Sequence, residues 1–187
     1  MAKVLINDDR HEEAKEIVKK GLAVDPESIS GYSLLIQALS DSEIEADIDS
    51  LMLKVQESDN LKSLLGSKLV NISPSKALEL LGEENIEDIM NKIVCFRKLN
   101  KNKEALSLAK YAIDINPYDV NLWLAAGWNA YDLEEYNDAG NFFESALGCN
   151  ISCADALFGK GLVMKMAGKD YSYYQRALAE IDSELII

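Results

Sequence analysis

The sequence predicts an all-α chain built as a solenoid of antiparallel helix pairs, about five pairs led by a partial one. Three observations carry that prediction. Ala105, Ala109, Ala112 and Ile113 fall in step with Ala139, Phe143, Ala146 and Leu147 at a spacing of thirty-four residues, the interval of a two-helix repeat. Helix-period patterning runs almost throughout, with no strand-like alternation of any length. The helix that carries Ala14 stops before Asp25-Pro26, and the one that carries Ala105 stops before Asn116-Pro117, each proline twelve residues after its alanine. A residue before proline is pushed out of the helical region, so both pairs mark boundaries.

Taken in order, Ala2 and Leu5 read as the tail of a leading helix. The next helix begins near Asp9 and carries Ala14, Ile17, Val18, Gly21 and Leu22 on one face. From Ala14 to Ala105 is 91 residues, about eleven short of three full periods. The stretch 29–85 therefore holds two abbreviated pairs, one from Ile29 to about Val55 and one from Asp59 to about Leu81. Pro74 suits the first turn of a helix, with Ser73 as its N-cap. The five acids from Asp41 to Asp49 flank a turn and solvate a helix start. Residues 86–119 and 120–153 are full repeats, and 154–187 is a degenerate one. In it Leu157, Gly161 and Met164 make a first helix that ends at Ala167-Gly168. The second helix has two open registers. Either it runs gapless with Tyr173 and Ala177 at the packing positions, or it loses three residues so that Ala177-Leu178 parallels Ala146-Leu147. The whole chain, 1–187, reads as one domain with 1–28 as a partial repeat.

Glu134-Glu135-Tyr136-Asn137-Asp138-Ala139 resembles the Gly-x-Tyr-x-x-Ala start of a second helix in tetratricopeptide-repeat (TPR) proteins. Asp9-Arg10-His11-Glu12-Glu13-Ala14 follows the same pattern, with His11 at the tyrosine place. Trp123, Ala126, Gly127 and Tyr131 follow the pattern of that family's first helix. The resemblance is strong over 86–153, good over 9–28, weaker over 154–187 and poor over 29–85. It implies a right-handed superhelix whose work is to hold another macromolecule.

Composition narrows the function classes. A net charge of −13 and an isoelectric point near 4.5 disfavour nucleic acid and anionic membrane as partners, because both attract basic surfaces. No apolar run approaches the roughly 20 residues that span a bilayer, and the N-terminal apolar stretch is too short for a signal peptide. Three cysteines, an odd number, read as reduced thiols, so the cytoplasm is the expected compartment.

Chemistry-bearing motifs are wanting. There is no Gly-rich phosphate loop, HExxH site or nucleophile elbow. His11 is the only histidine and falls at a repeat position. Cys149 and Cys153 would need two more zinc ligands. The acids of 83–88 and 132–138 lack the ligand spacing and central glycine of a calcium loop; they sit where helices begin. No enzyme activity, metal or cofactor is expected.

In TPR proteins the first helices line the concave face, where ligand is held. The resemblance thus implies an inward-facing set of Met90, Val94, Asn121, Leu124, Trp128, Tyr131, Phe158 and Leu162. The family's carboxylate clamp needs basic residues at positions that here are Met90, Asp155 and Gly159, so that clamp is absent. What remains is an apolar and aromatic groove. Trp128 is either a packing residue against an adjoining helix or an anchor for an apolar peptide or amphipathic helix. The expected function is a non-enzymatic scaffold that binds a peptide or helix of a partner protein in this groove. The alternative is self-association into a homo-oligomer through apolar repeat edges, Ala2 and Leu5 at one end and Leu185-Ile186-Ile187 at the other.

Overall fold

A computed structural model describes residues 1–181, and the Leu185-Ile186-Ile187 edge lies outside them. The described residues form thirteen helices and no strand, as expected of an all-α helical-repeat chain. They divide into two compact units, 1–95 and 96 onward.

The first unit opens with α1 (Ala2–Asn7), α2 (His11–Val24) and α3 (Ile29–Ala38). Leu5, Ala14 and Ala38 pack at their meeting point, with Ile6 and Ile17 alongside. Of the α2 face expected from sequence, Ala14 and Val18 are buried. Gly21 is not: it is exposed, and a Cβ there would meet nothing within 4 Å. The second helix of the next pair is broken into α4 (Asp41–Ala46) and α5 (Ile48–Lys54), because Asp47 leaves helical geometry at φ −122°. Then come α6 (Asp59–Ile72) and α7 (Pro74–Leu80), with Pro74 in the first turn. Ser73 makes no side-chain cap there: proline carries no N–H at the first position, and fixed φ starts the helix unaided. Ile36, Ile44, Leu51, Leu65, Leu69, Ala77 and Leu80 form this unit's main core. Helix α8 (Ile86–Lys98) begins here, and its buried Asp88 closes the preceding loop by accepting from Ser63 Oγ (2.6 Å) and the Gly82 N–H (3.2 Å).

The acids of 41–49 do more than solvate. Glu43 forms a capping box with Ser40 and also accepts from the buried Lys15 Nζ at 2.6 Å. That ammonium, followed by the N–H and hydroxyl of Ser40, holds the Glu43 carboxyl down at about 2. A depressed carboxylate contributes stability above its unfolded pKa of about 4.3 and loses it as pH falls toward 2. Glu43→Gln is therefore expected to lower stability at pH 7. The Glu43 side chain is 39% exposed, so screening keeps the loss to about 0.5–1 kcal/mol. Denaturation curves of the two proteins should converge near pH 2; a constant gap across the acid range would remove the ion pair from the account.

The second unit holds α9 (Asn102–Ile115), α10 (Val120–Asp132), α11 (Tyr136–Cys149), α12 (Ala154–Met166) and α13 (Ser172–Ile181), each packed on the next. In α13, Leu178 is fully buried, Tyr174 and Ala177 are half-buried and Tyr173 is 58% exposed. Tyr173 is thus not at a packing position as the gapless register required, and α13 starts 36 residues after α11, so no three residues are lost before it either.

The repeat is written in the turns. Asp9, Asn100, Glu134 and Gly168 all take positive φ, between 57° and 65°. In each case the next residue's N–H reaches back to a carbonyl five positions earlier: Arg10 to Leu5, Lys101 to Phe96, Glu135 to Ala130 and Lys169 to Met164. These are Schellman closures, which call for a left-handed residue. Glycine fills that place once. Glu134→Gly is therefore expected to raise stability by about 0.5–1 kcal/mol in a thermal melt, since a side chain in this conformation costs about 1 kcal/mol. Asn100→Gly should give less, because asparagine tolerates the left-handed region. Equal gains would refute this explanation.

Candidate functional site

Helices α10 and α12 are successive first helices that both pack against α11 and touch each other. This brings residues thirty positions apart into one aromatic cluster. The Trp128 ring stands edge-on to Phe143 at 4.9 Å and to Tyr131 at 5.9 Å, and is tilted beside Phe158 at 6.3 Å. Tyr131 in turn meets Tyr136 at 5.4 Å, and its hydroxyl lies 3.1 Å from Met166 Sδ. Desolvation, then the charge of Glu134, raises the Tyr136 phenol above its ordinary pKa.

Trp128 has a double placement. One side of its ring packs on Phe143, which is fully buried. It also lines, with Ala154, Asp155 and Phe158, an open recess of about 360 Å³. Trp123, by contrast, is tied to the loop before α10: its indole N–H donates to the Pro117 carbonyl at 2.7 Å.

Of the eight expected site residues, six lie in the second unit. Trp128, Tyr131 and Phe158 are brought together and stay half-buried. Leu124 is 9% exposed and supports the wall from within. Leu162 is half-buried and Asn121 is exposed in the first turn of α10. Met90, half-buried, and Val94, 37% exposed, sit on α8 in the first unit. Sequence reasoning left Ala154 out of the site and met Asp155 only as a lost clamp position on the inward face. The signal was present, since Asp155 stands one period after Asn121.

Gly159 has a structural reason to lack a side chain. A Cβ on it would lie 2.5 Å from Phe143 Cζ, and one on Gly127 would lie 2.6 Å from Phe143 Cε1. The Phe143 ring from α11 thus fills the space between the α10 and α12 backbones. A larger recess, about 400 Å³, opens between α11 and α12 and is lined by Tyr136, Asn141, Lys160 and Met164 among others. Of its two lysines, Lys160 and Lys169, the first is already engaged: Lys160 Nζ donates to Glu144 at 2.6 Å and to the Gly140 carbonyl at 2.9 Å. The same pairing holds the Glu144 carboxyl below its ordinary pKa. Among the described residues no three His, Cys, Asp or Glu side chains are grouped as metal ligands, and no helix is long and apolar enough to cross a membrane.

No family model and no curated protein matches the chain. Solved structures do. PilF of Pseudomonas aeruginosa is 15% identical, with 98% of this chain and 90% of that one covered at a TM-score of 0.69. MamA AMB-1 is 15% identical over 96% of each chain, with a TM-score of 0.61. YrrB, a TPR protein with an unusual peptide-binding site, is 17% identical over 98% of this chain and 84% of its own, at 0.55.

Proposed function

Because the chain has a TPR-like fold, we propose that it works without catalysis, as a scaffold that holds a segment of a partner protein against the α10–α12 face of its second unit. The observation that carries this reading is the Trp128–Phe158 pair. Two large aromatic rings stand half-open side by side around a recess. Such rings make good anchors, since they bring large contact area at little entropic cost. An acidic chain of net charge −13 favours protein over nucleic acid as partner.

The test is recovery of a partner from native lysate, followed by direct affinity measurement on the purified pair. Phe158→Ala is expected to weaken binding by about 2 kcal/mol, the usual size for an aromatic hot spot. Tyr118→Ser, at an 86% exposed position outside the recess, should bind as wild type. Circular dichroism confirms that both variants are folded. Binding that resists Phe158→Ala would exclude this face. Ala2 and Leu5, expected at an open edge, are buried within the first unit, so light scattering addresses self-association on its own: a dimer in dilute solution would replace the scaffold reading.

A further inference from the structure

We propose that the recess beside Trp128 and Phe158 seats the guanidinium of an arginine side chain presented by the partner, with Asp155 as its counter-charge. This rests on the reading that the α10–α12 face docks a partner. The recess offers two chemistries at once. Trp128 and Phe158 form an adjoining aromatic wall, their rings 6.3 Å apart and tilted by 38°. Asp155, exposed in the first turn of α12, lines the same space with the small Ala154 beside it.

No cation of the described residues forms an ion pair with Asp155. Lys160 is turned to Glu144, and Lys165 Nζ lies 5.7 Å over the Tyr171 ring. A purely apolar segment covering the recess would strip water from the Asp155 carboxylate and give it nothing in return, which is costly. A cation removes that penalty and gains the ring faces, tryptophan being the best of them. Arginine suits the place better than lysine. Its planar group stacks on aromatic faces and can present two N–H donors to one carboxylate, whereas an ammonium is a compact and more strongly hydrated charge. The chain's net charge of −13 adds long-range attraction for a basic segment.

The test uses blocked pentapeptides, Gly-Gly-Arg-Gly-Gly and the same peptide with lysine, citrulline or norleucine at the centre. Binding is read at the Trp128 indole N–H by nitrogen-15 correlation spectroscopy, with the Trp123 indole, bonded to Pro117, as internal reference. The arginine peptide is expected to shift Trp128 alone and to bind about tenfold tighter than the citrulline peptide, with lysine between. Asp155→Asn should abolish that preference, and raising salt from about 50 to 300 mM should reduce it. Citrulline or norleucine matching arginine, lysine equalling arginine, an unaffected Asp155→Asn, or no shift at Trp128 would each overturn the proposal. The docking face itself stands or falls separately, on the loss of partner binding in Phe158→Ala.

Discussion

Phe143→Ala is expected to destabilise the protein by about 3–5 kcal/mol, the usual range for deleting a fully buried aromatic side chain. The loss should be near the top of that range, because the ring is held between two backbones and neither helix can close the gap by rotating a side chain. Gly159→Ala alone is expected to cost about 1–3 kcal/mol from overpacking, its new methyl lying 2.5 Å from Phe143 Cζ. The informative measurement is the double variant in urea denaturation. Once the ring is gone the methyl enters the vacated space, so Phe143→Ala with Gly159→Ala should be less damaging than the sum by about 1–3 kcal/mol. Gly148→Ala supplies the control: a Cβ there meets nothing within 4 Å, so the substitution should be neutral or stabilise by up to about 1 kcal/mol through helix propensity. Additive losses would mean that Phe143 and Gly159 do not share one space.

Asn129→Asp is expected to destabilise by about 3–5 kcal/mol at pH 7, the range seen for an uncompensated buried charge. Asn129 is fully buried in α10. Its Nδ2 donates to the Ala125 carbonyl at 2.7 Å, and its Oδ1 has no partner. Aspartate would set a carboxylate oxygen against that carbonyl with no cation to offset it. The folded protein then favours the protonated acid, so its pKa rises above the unfolded value of about 3.9. The sign follows from this: the variant is closest to wild type below pH 4 and loses stability as pH climbs toward the raised pKa. Asn129→Leu should stay within about 1 kcal/mol of wild type, since it removes an unsatisfied polar group for one of similar shape. If the pH trend ran the other way, Oδ1 would have an unrecognised donor.

The difference between these sites and the rest of the chain shows where sequence is informative. Helix positions follow from local rules: apolar period, prolines after α2 and α9, and the glycine at 168 that ends α12. Each rule acts within about one helical turn, so a single strand of text contains it. The family resemblance and the aromatic character of α10 and α12 were legible for the same reason. Breaks were not. Asp47 divides a helix that the pattern runs through, and in α13 it is Leu178 that is buried while Tyr173 stays exposed. Gly21 matched the apolar face by spacing and still lies open.

What the sequence by itself determined is the class of fold, the order of its helices and the residue types on the α10–α12 face. Only the tertiary structure decided that Phe143 fills the space between Gly127 of α10 and Gly159 of α12, that Trp128 both packs and lines a recess, and that Asp155 shares the recess with it. Those outcomes depend on which backbones approach closely and which ring fills the space between them. Close packing of large and small side chains from three helices is a property of their joint geometry, and no one helix's sequence contains it.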